Sequence, residues 1–83
     1  MRKKKEQRTI AIVRLELKLR ETLYSLKKEL LESPIIARKK IEELRKKYIL
    51  NPNTAAMFSS VGMITEYTNL LKEFNKVMDG DLI

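Results

Sequence analysis

Two prolines and two glycines are the only strong helix breakers in this chain, and they divide it before any other property is considered. Ser33-Pro34 makes the first break, with Ser33 suited to an N-cap and Pro34 to the first helical position. Asn51-Pro52-Asn53-Thr54 makes the second, a turn followed by a further capping residue. Gly80, after Met78-Asp79, reads as a helix stop. Three uninterrupted segments remain, and the expected fold is all-α: a long, a short and a long helix over about 9–32, 34–50 and 54–78. On this reading residues 1–8 form a flexible basic tail, 9–79 a single helical domain and 80–83 a C-terminal tail.

The middle segment carries the cleanest helical period. Ala37, Ile41, Leu44 and Tyr48 recur at four, three and four and share one narrow face. The remaining faces are charged, with Lys39 and Glu43, Glu42 and Lys46, and Glu43 and Lys47 each four apart. The last segment places Ala56, Ser60, Met63, Ile64, Tyr67, Leu70, Leu71, Phe74, Val77 and Met78 on one face, too broad for a single partner helix. Phe58 and Val61 lie off it, and Gly62 reads as a lone glycine inside the helix, where small neighbours allow close approach of a second helix.

The first segment fits two templates. Ile12, Leu15, Leu19, Leu23, Leu26 and Leu30 lie within about 80° on a helical wheel, and Val13, Leu17, Tyr24 and Leu31 form a weaker second strip. Yet Val13, Leu15, Leu17 and Leu19 also alternate with Arg14, Glu16 and Lys18, as in a half-exposed strand. The stretch is built from Leu, Glu, Lys and Arg, and no turn residue separates it from Glu21–Glu32, so one continuous helix is the leading expectation. In the alternative, a strand over 9–19 followed by two helices resembles a ribbon-helix-helix repressor, which implies that Arg14, Glu16 and Lys18 face bases in the major groove. The resemblance covers about forty residues. It lacks the glycine common between the two helices, where this chain has Leu31-Glu32-Ser33-Pro34, and it leaves the third helix unaccounted for.

Composition limits the chemistry. There is no Cys and no His, which removes disulfides, thiolate sites and the commonest general base and zinc ligand. Glu42 and Glu43 diverge on a helix, and Asp79-Gly80-Asp81 supplies too few oxygens for calcium. No glycine-rich phosphate loop is present. The chain is therefore expected to be no enzyme, with no cofactor, no metal and no small-molecule substrate.

Charge is uneven. Residues 1–50 hold sixteen Lys and Arg against seven Glu, and residues 51–83 hold two Lys against four acids. An anionic partner would meet Arg2, Lys3, Lys4, Lys5, Arg8, Arg14 and Lys18, or Arg38, Lys39, Arg45 and Lys46 on the middle helix. Charges interrupt Ile10 to Leu31, and Asn51 to Thr65 is too short and polar to span a bilayer, so neither an export core nor a membrane span is expected and the location is taken as cytoplasmic, inside the host cell if the source is viral.

A domain of this size buries only about 60–65% of its unfolded surface. A middle helix of about 21 Å cannot cover neighbours of about 36 Å, so apolar surface is left for a partner in trans. The expected function is a small helical protein that homodimerises as a bundle and binds another macromolecule as an assembly factor, adaptor or inhibitor, with richness in Lys, Ile and Asn fitting a virus or mobile element. Its core or dimer contacts are assigned to Leu15, Leu19, Leu23, Leu26, Leu30, Met63, Ile64, Tyr67, Leu71 and Phe74. The alternative is a dimeric, basic, DNA-binding transcriptional regulator.

Overall fold

The computed structural model describes residues 2–80, with side chains from Glu6 onward. Helix α1 runs Arg2–Glu32, α2 Pro34–Leu44, α3 Pro52–Ser60 and α4 Ile64–Met78, and a π-helical turn, Arg45–Ile49, continues α2. No strand occurs among the described residues. Residues 9–19 lie inside α1, so the ribbon alternative is corrected: strong helix formers without an intervening turn residue override the short alternating pattern. The same helix begins at Arg2. Residues 2–8, expected as a tail, are its first turns, since no proline or glycine separates them from Thr9 and the residues beyond it.

The first break forms where expected. Pro34 occupies the first turn of α2, although Ser33 makes no side-chain cap and the turn closes through backbone bonds from Ser33 N to Glu29 O (2.7 Å) and Ala37 N to Ser33 O (3.0 Å). At the second break Asn51, rather than Thr54, is the cap. Its Oδ1 accepts from Asn53 N at 2.9 Å, Pro52 opens α3, and Thr54 is buried.

Two features alter the expected helix plan. Gly62, read as interior to one long helix, has φ +73° and ends α3. Gly62 N donates to Ser59 O at 3.0 Å and Met63 N to Phe58 O at 2.8 Å, the bond pair of a Schellman motif around a left-handed residue. The described residues therefore form four α-helices, and the expected 54–78 helix is two. In the middle segment, Leu50 N donates to Arg45 O at 2.8 Å, an i→i+5 bond that widens the last turn. Ile49, off the expected face, is thereby fully buried, and its carbonyl accepts from Tyr67 Oη.

Packing is set by these ends. The Ser33 turn folds α2 back antiparallel to α1, where Lys40 Nζ meets Glu29 Oε1 at 3.1 Å. Helix α4 lies beside both, parallel to α1, with Lys27 Nζ 3.2 Å from Glu73 Oε2 and Arg38 Nη1 3.0 Å from Met78 O. The core joins Ile12, Leu19, Leu23, Leu26 and Leu30 of α1 to Ala37 and Ile41 of α2, Ile49, Phe58 of α3, and Leu70, Phe74 and Val77 of α4. Phe58 is completely buried and its ring centroid lies 5.7 Å from that of Tyr67, a tilted aromatic contact across the α3–α4 turn. The body measures 47 × 20 × 18 Å. Its long axis is that of α1, whose 31 residues span about 46 Å.

Candidate functional site

Helices α2 and α4 pack on one side of α1. The covered side is the stripe Ile12, Leu19, Leu23, Leu26 and Leu30, all buried, with Leu15 partly buried beside it. The opposite side is apolar as well. Ile10, Leu17, Tyr24 and Leu31 stand seven residues apart and are 51%, 51%, 61% and 81% exposed, with exposed Val13 beside them. At 100° per residue these five fall within an arc of about 60°, centred about 140° from the buried stripe. A seven-residue repeat drifts only about 20° per heptad around a straight helix, so the strip stays on one face along the whole of α1.

A separate exposed apolar group lies just past the end of the helix. Ile35 and Ile36, the second and third residues of α2, are exposed, and with Ser33 and Pro34 they line an open apolar hollow. The five residues on α1 together expose the equivalent of about three fully accessible large side chains, on the order of 550 Å² at ~200 Å² each. A monomer's largest exposed apolar patch is typically about 300–600 Å².

The strip's borders are polar and only partly neutralised. Arg20 Nε is held by Glu16 Oε2 at 3.1 Å and Lys27 by Glu73, both within the subunit. Lys28 Nζ lies 4.6 Å from the Tyr24 ring centroid, a cation–π contact that holds the ring against its own helix. Arg14, Lys18 and Glu21 make no ion pair among the described residues and are exposed.

The residues assigned to core or dimer contact divide in two. Leu19, Leu23, Leu26, Leu30 and Phe74 are buried within one chain, and Leu15, Met63, Tyr67 and Leu71 pack partly buried against them. Ile64 departs from this set at 47% exposed, because the Gly62 turn rotates the first residue of α4 outward. The broad face also narrows at its start, where Ala56 and Ser60 are exposed and Phe58 takes the core position. Ile10 and the seven-residue repeat, which extend the second strip into a full-length face, were legible from spacing alone but are hidden by the stronger core stripe beside them.

The basic side chains that the structure describes are spread over several elements. Arg8 borders a shallow hollow of about 350 Å³ with Ile12, Ala56, Met57 and Ser60. Arg38 is spent on the end of α4. Arg45 is half-buried and bonded to Glu42 Oε2 at 3.2 Å, with Lys46 4.0 Å from the same carboxylate. Lys39 is exposed. The side chains of Arg2, Lys3, Lys4 and Lys5 lie outside the described residues.

Of the three helical pairs expected around Glu42 and Glu43, the Glu42–Lys46 pair forms, and Arg45 joins it on Glu42. Among the described residues no three acidic groups converge, and no helix is long and apolar enough to cross a membrane. No protein-family model matches the chain, nor does any curated protein or solved structure.

Proposed function

We propose that the chain is a non-enzymatic helical binding protein whose working surface is the outward face of α1, and that this face makes it a homodimer. The reading rests on one observation: α1 is apolar on two sides, and only one is covered by the chain's own helices. The five α1 residues of the strip expose on the order of 550 Å², so two copies paired through them bury about 1,100 Å² in total, the low end of the range for specific protein–protein interfaces. The strip also lies on a long helix where an apolar residue recurs every seven positions, at Ile10, Leu17, Tyr24 and Leu31, which keeps the strip on one face along the helix.

The proposed division of labour comes from burial. Leu19, Leu23, Leu26, Leu30 and Phe74 hold the subunit together, while Ile10, Val13, Leu17, Tyr24 and Leu31 join two subunits. A dimer formed through α1 leaves the outer surfaces of α2, with Lys39 and Lys46, and of α3, with Met57, free for a further macromolecule, as an adaptor or assembly factor requires. Sedimentation equilibrium tests the dimer. A monomer–dimer equilibrium at micromolar protein that Leu17→Asp abolishes supports the reading, and a monomer at every concentration overturns it.

A further inference from the structure

We infer that the two copies pair their first helices antiparallel and end to end, with Leu17 at the two-fold axis. The inference rests on the dimer reading above and specifies its geometry. Helix α1 runs Arg2–Glu32, so an antiparallel pair overlapped along its full length sets residue 2 of one copy against residue 32 of the other. The midpoint is Leu17, already the centre of the exposed strip. In this register Ile10 meets Tyr24 of the partner subunit and Val13 packs beneath the aliphatic stem of the partner's Arg20.

Charge supports the same arrangement. In an antiparallel pair, residues on one border of the strip face the same border of the second copy. Arg14, which has no ion-pair partner among the described residues of its own chain, comes within one residue, about 1.5 Å along the axis, of the level of Glu21 of the partner subunit on the same border, and Glu21 is likewise unpaired there. Two-fold symmetry makes two such pairs, one on each side of Leu17. Farther out, exposed Glu6 falls opposite the partner's Lys28.

A parallel pair in register does the reverse. It sets Arg2, Lys3, Lys4, Lys5 and Arg8 of the two copies side by side, opposed in each copy only by Glu6. At helix-packing distances of about 8–10 Å the two basic ends lie about one Debye length apart at physiological salt, where their repulsion is only partly screened. The antiparallel pair separates the two basic ends by about the 46 Å length of the helix. Among the described residues nothing on the outward side of α1 obstructs either arrangement, because α2 and α4 pack on its other side.

The chain has no cysteine, so single introduced thiols report contacts without background. An oxidised disulfide needs Cα atoms within about 7 Å. Oxidising a mixture of the Ile10→Cys and Tyr24→Cys proteins is expected to give a mixed cross-linked dimer, and Ile10→Cys alone is expected to give none. Separately, Arg14→Glu is expected to weaken dimerisation about tenfold, since each lost pair becomes a repulsion, and Arg14→Glu with Glu21→Arg is expected to return it to within about threefold.

Efficient self-cross-linking of Ile10→Cys would overturn the antiparallel direction while leaving the dimer intact. A dimer that forms neither cross-link, or a charge swap that fails to rescue Arg14→Glu, would overturn the register. A chain that sediments as a monomer before any substitution would overturn the dimer itself, so the two levels fail separately.

Discussion

Gly62 sets where the third helix stops. Its φ of +73° is open to glycine and strained for any other residue, and a Cβ added there would meet nothing within 4 Å. The cost of Gly62→Ala is therefore backbone strain alone, expected at about 1–2 kcal/mol in urea denaturation, with no change in fold. Phe58, whose carbonyl accepts the closing bond of the same turn, is different because its ring is fully buried. Phe58→Ala is expected to cost about 3–5 kcal/mol by the same measurement. The sequence announces such residues unequally. Asn51-Pro52-Asn53-Thr54 marks a break by residue type alone, although the cap is Asn51 and the helix starts at Pro52, two residues earlier than expected. Gly62 is ambiguous because a lone glycine is tolerated inside a helix. The preceding Ser59-Ser60-Val61, weak helix formers, were the local sign of a stop.

At the scale of the element, α1 carries the account. Its two apolar strips were both visible as helical spacings, but periodicity cannot say which strip a short chain will cover. That is decided by the lengths of α2 and α4 and by where the Ser33 and Gly62 turns send them. The consequence is a sharp difference between two leucines nine residues apart. Leu26 is buried in the subunit core and Leu17 is half exposed on the outer strip. Leu26→Asp places an unpaired carboxylate in that core and is expected to unfold the chain, read as loss of the helical circular dichroism signal. Leu17→Asp is expected to keep the signal. The π-helical turn lies beyond any reading of period, since it exists only to bring Ile49 inward and present its carbonyl to Tyr67 of another helix. Tyr67→Phe, which leaves that carbonyl without its partner, is expected to cost about 1 kcal/mol or more in denaturant unfolding.

For the whole molecule, the all-helical architecture and the shortage of cover were legible from the spacing of two prolines and the widths of the stripes. The number of helices and the start of the first were not, because a glycine and a basic segment each read two ways until neighbours are placed. A body of 47 × 20 × 18 Å built along one helix has a large surface for its volume, and that helix turns an apolar edge outward. Pairing two such edges buries what a single subunit leaves wet, and it contributes stability that depends on protein concentration. The melting temperature of the unsubstituted chain is therefore expected to rise with protein concentration, and that of Leu17→Asp to stay constant.

Sedimentation equilibrium of the unsubstituted chain beside Leu17→Asp tests the central claim most directly. A concentration-dependent dimer is expected for the first and a helical monomer for the second. A Leu17→Asp protein that dimerises as tightly as the unsubstituted chain would show that the outward strip of α1 is not the interface.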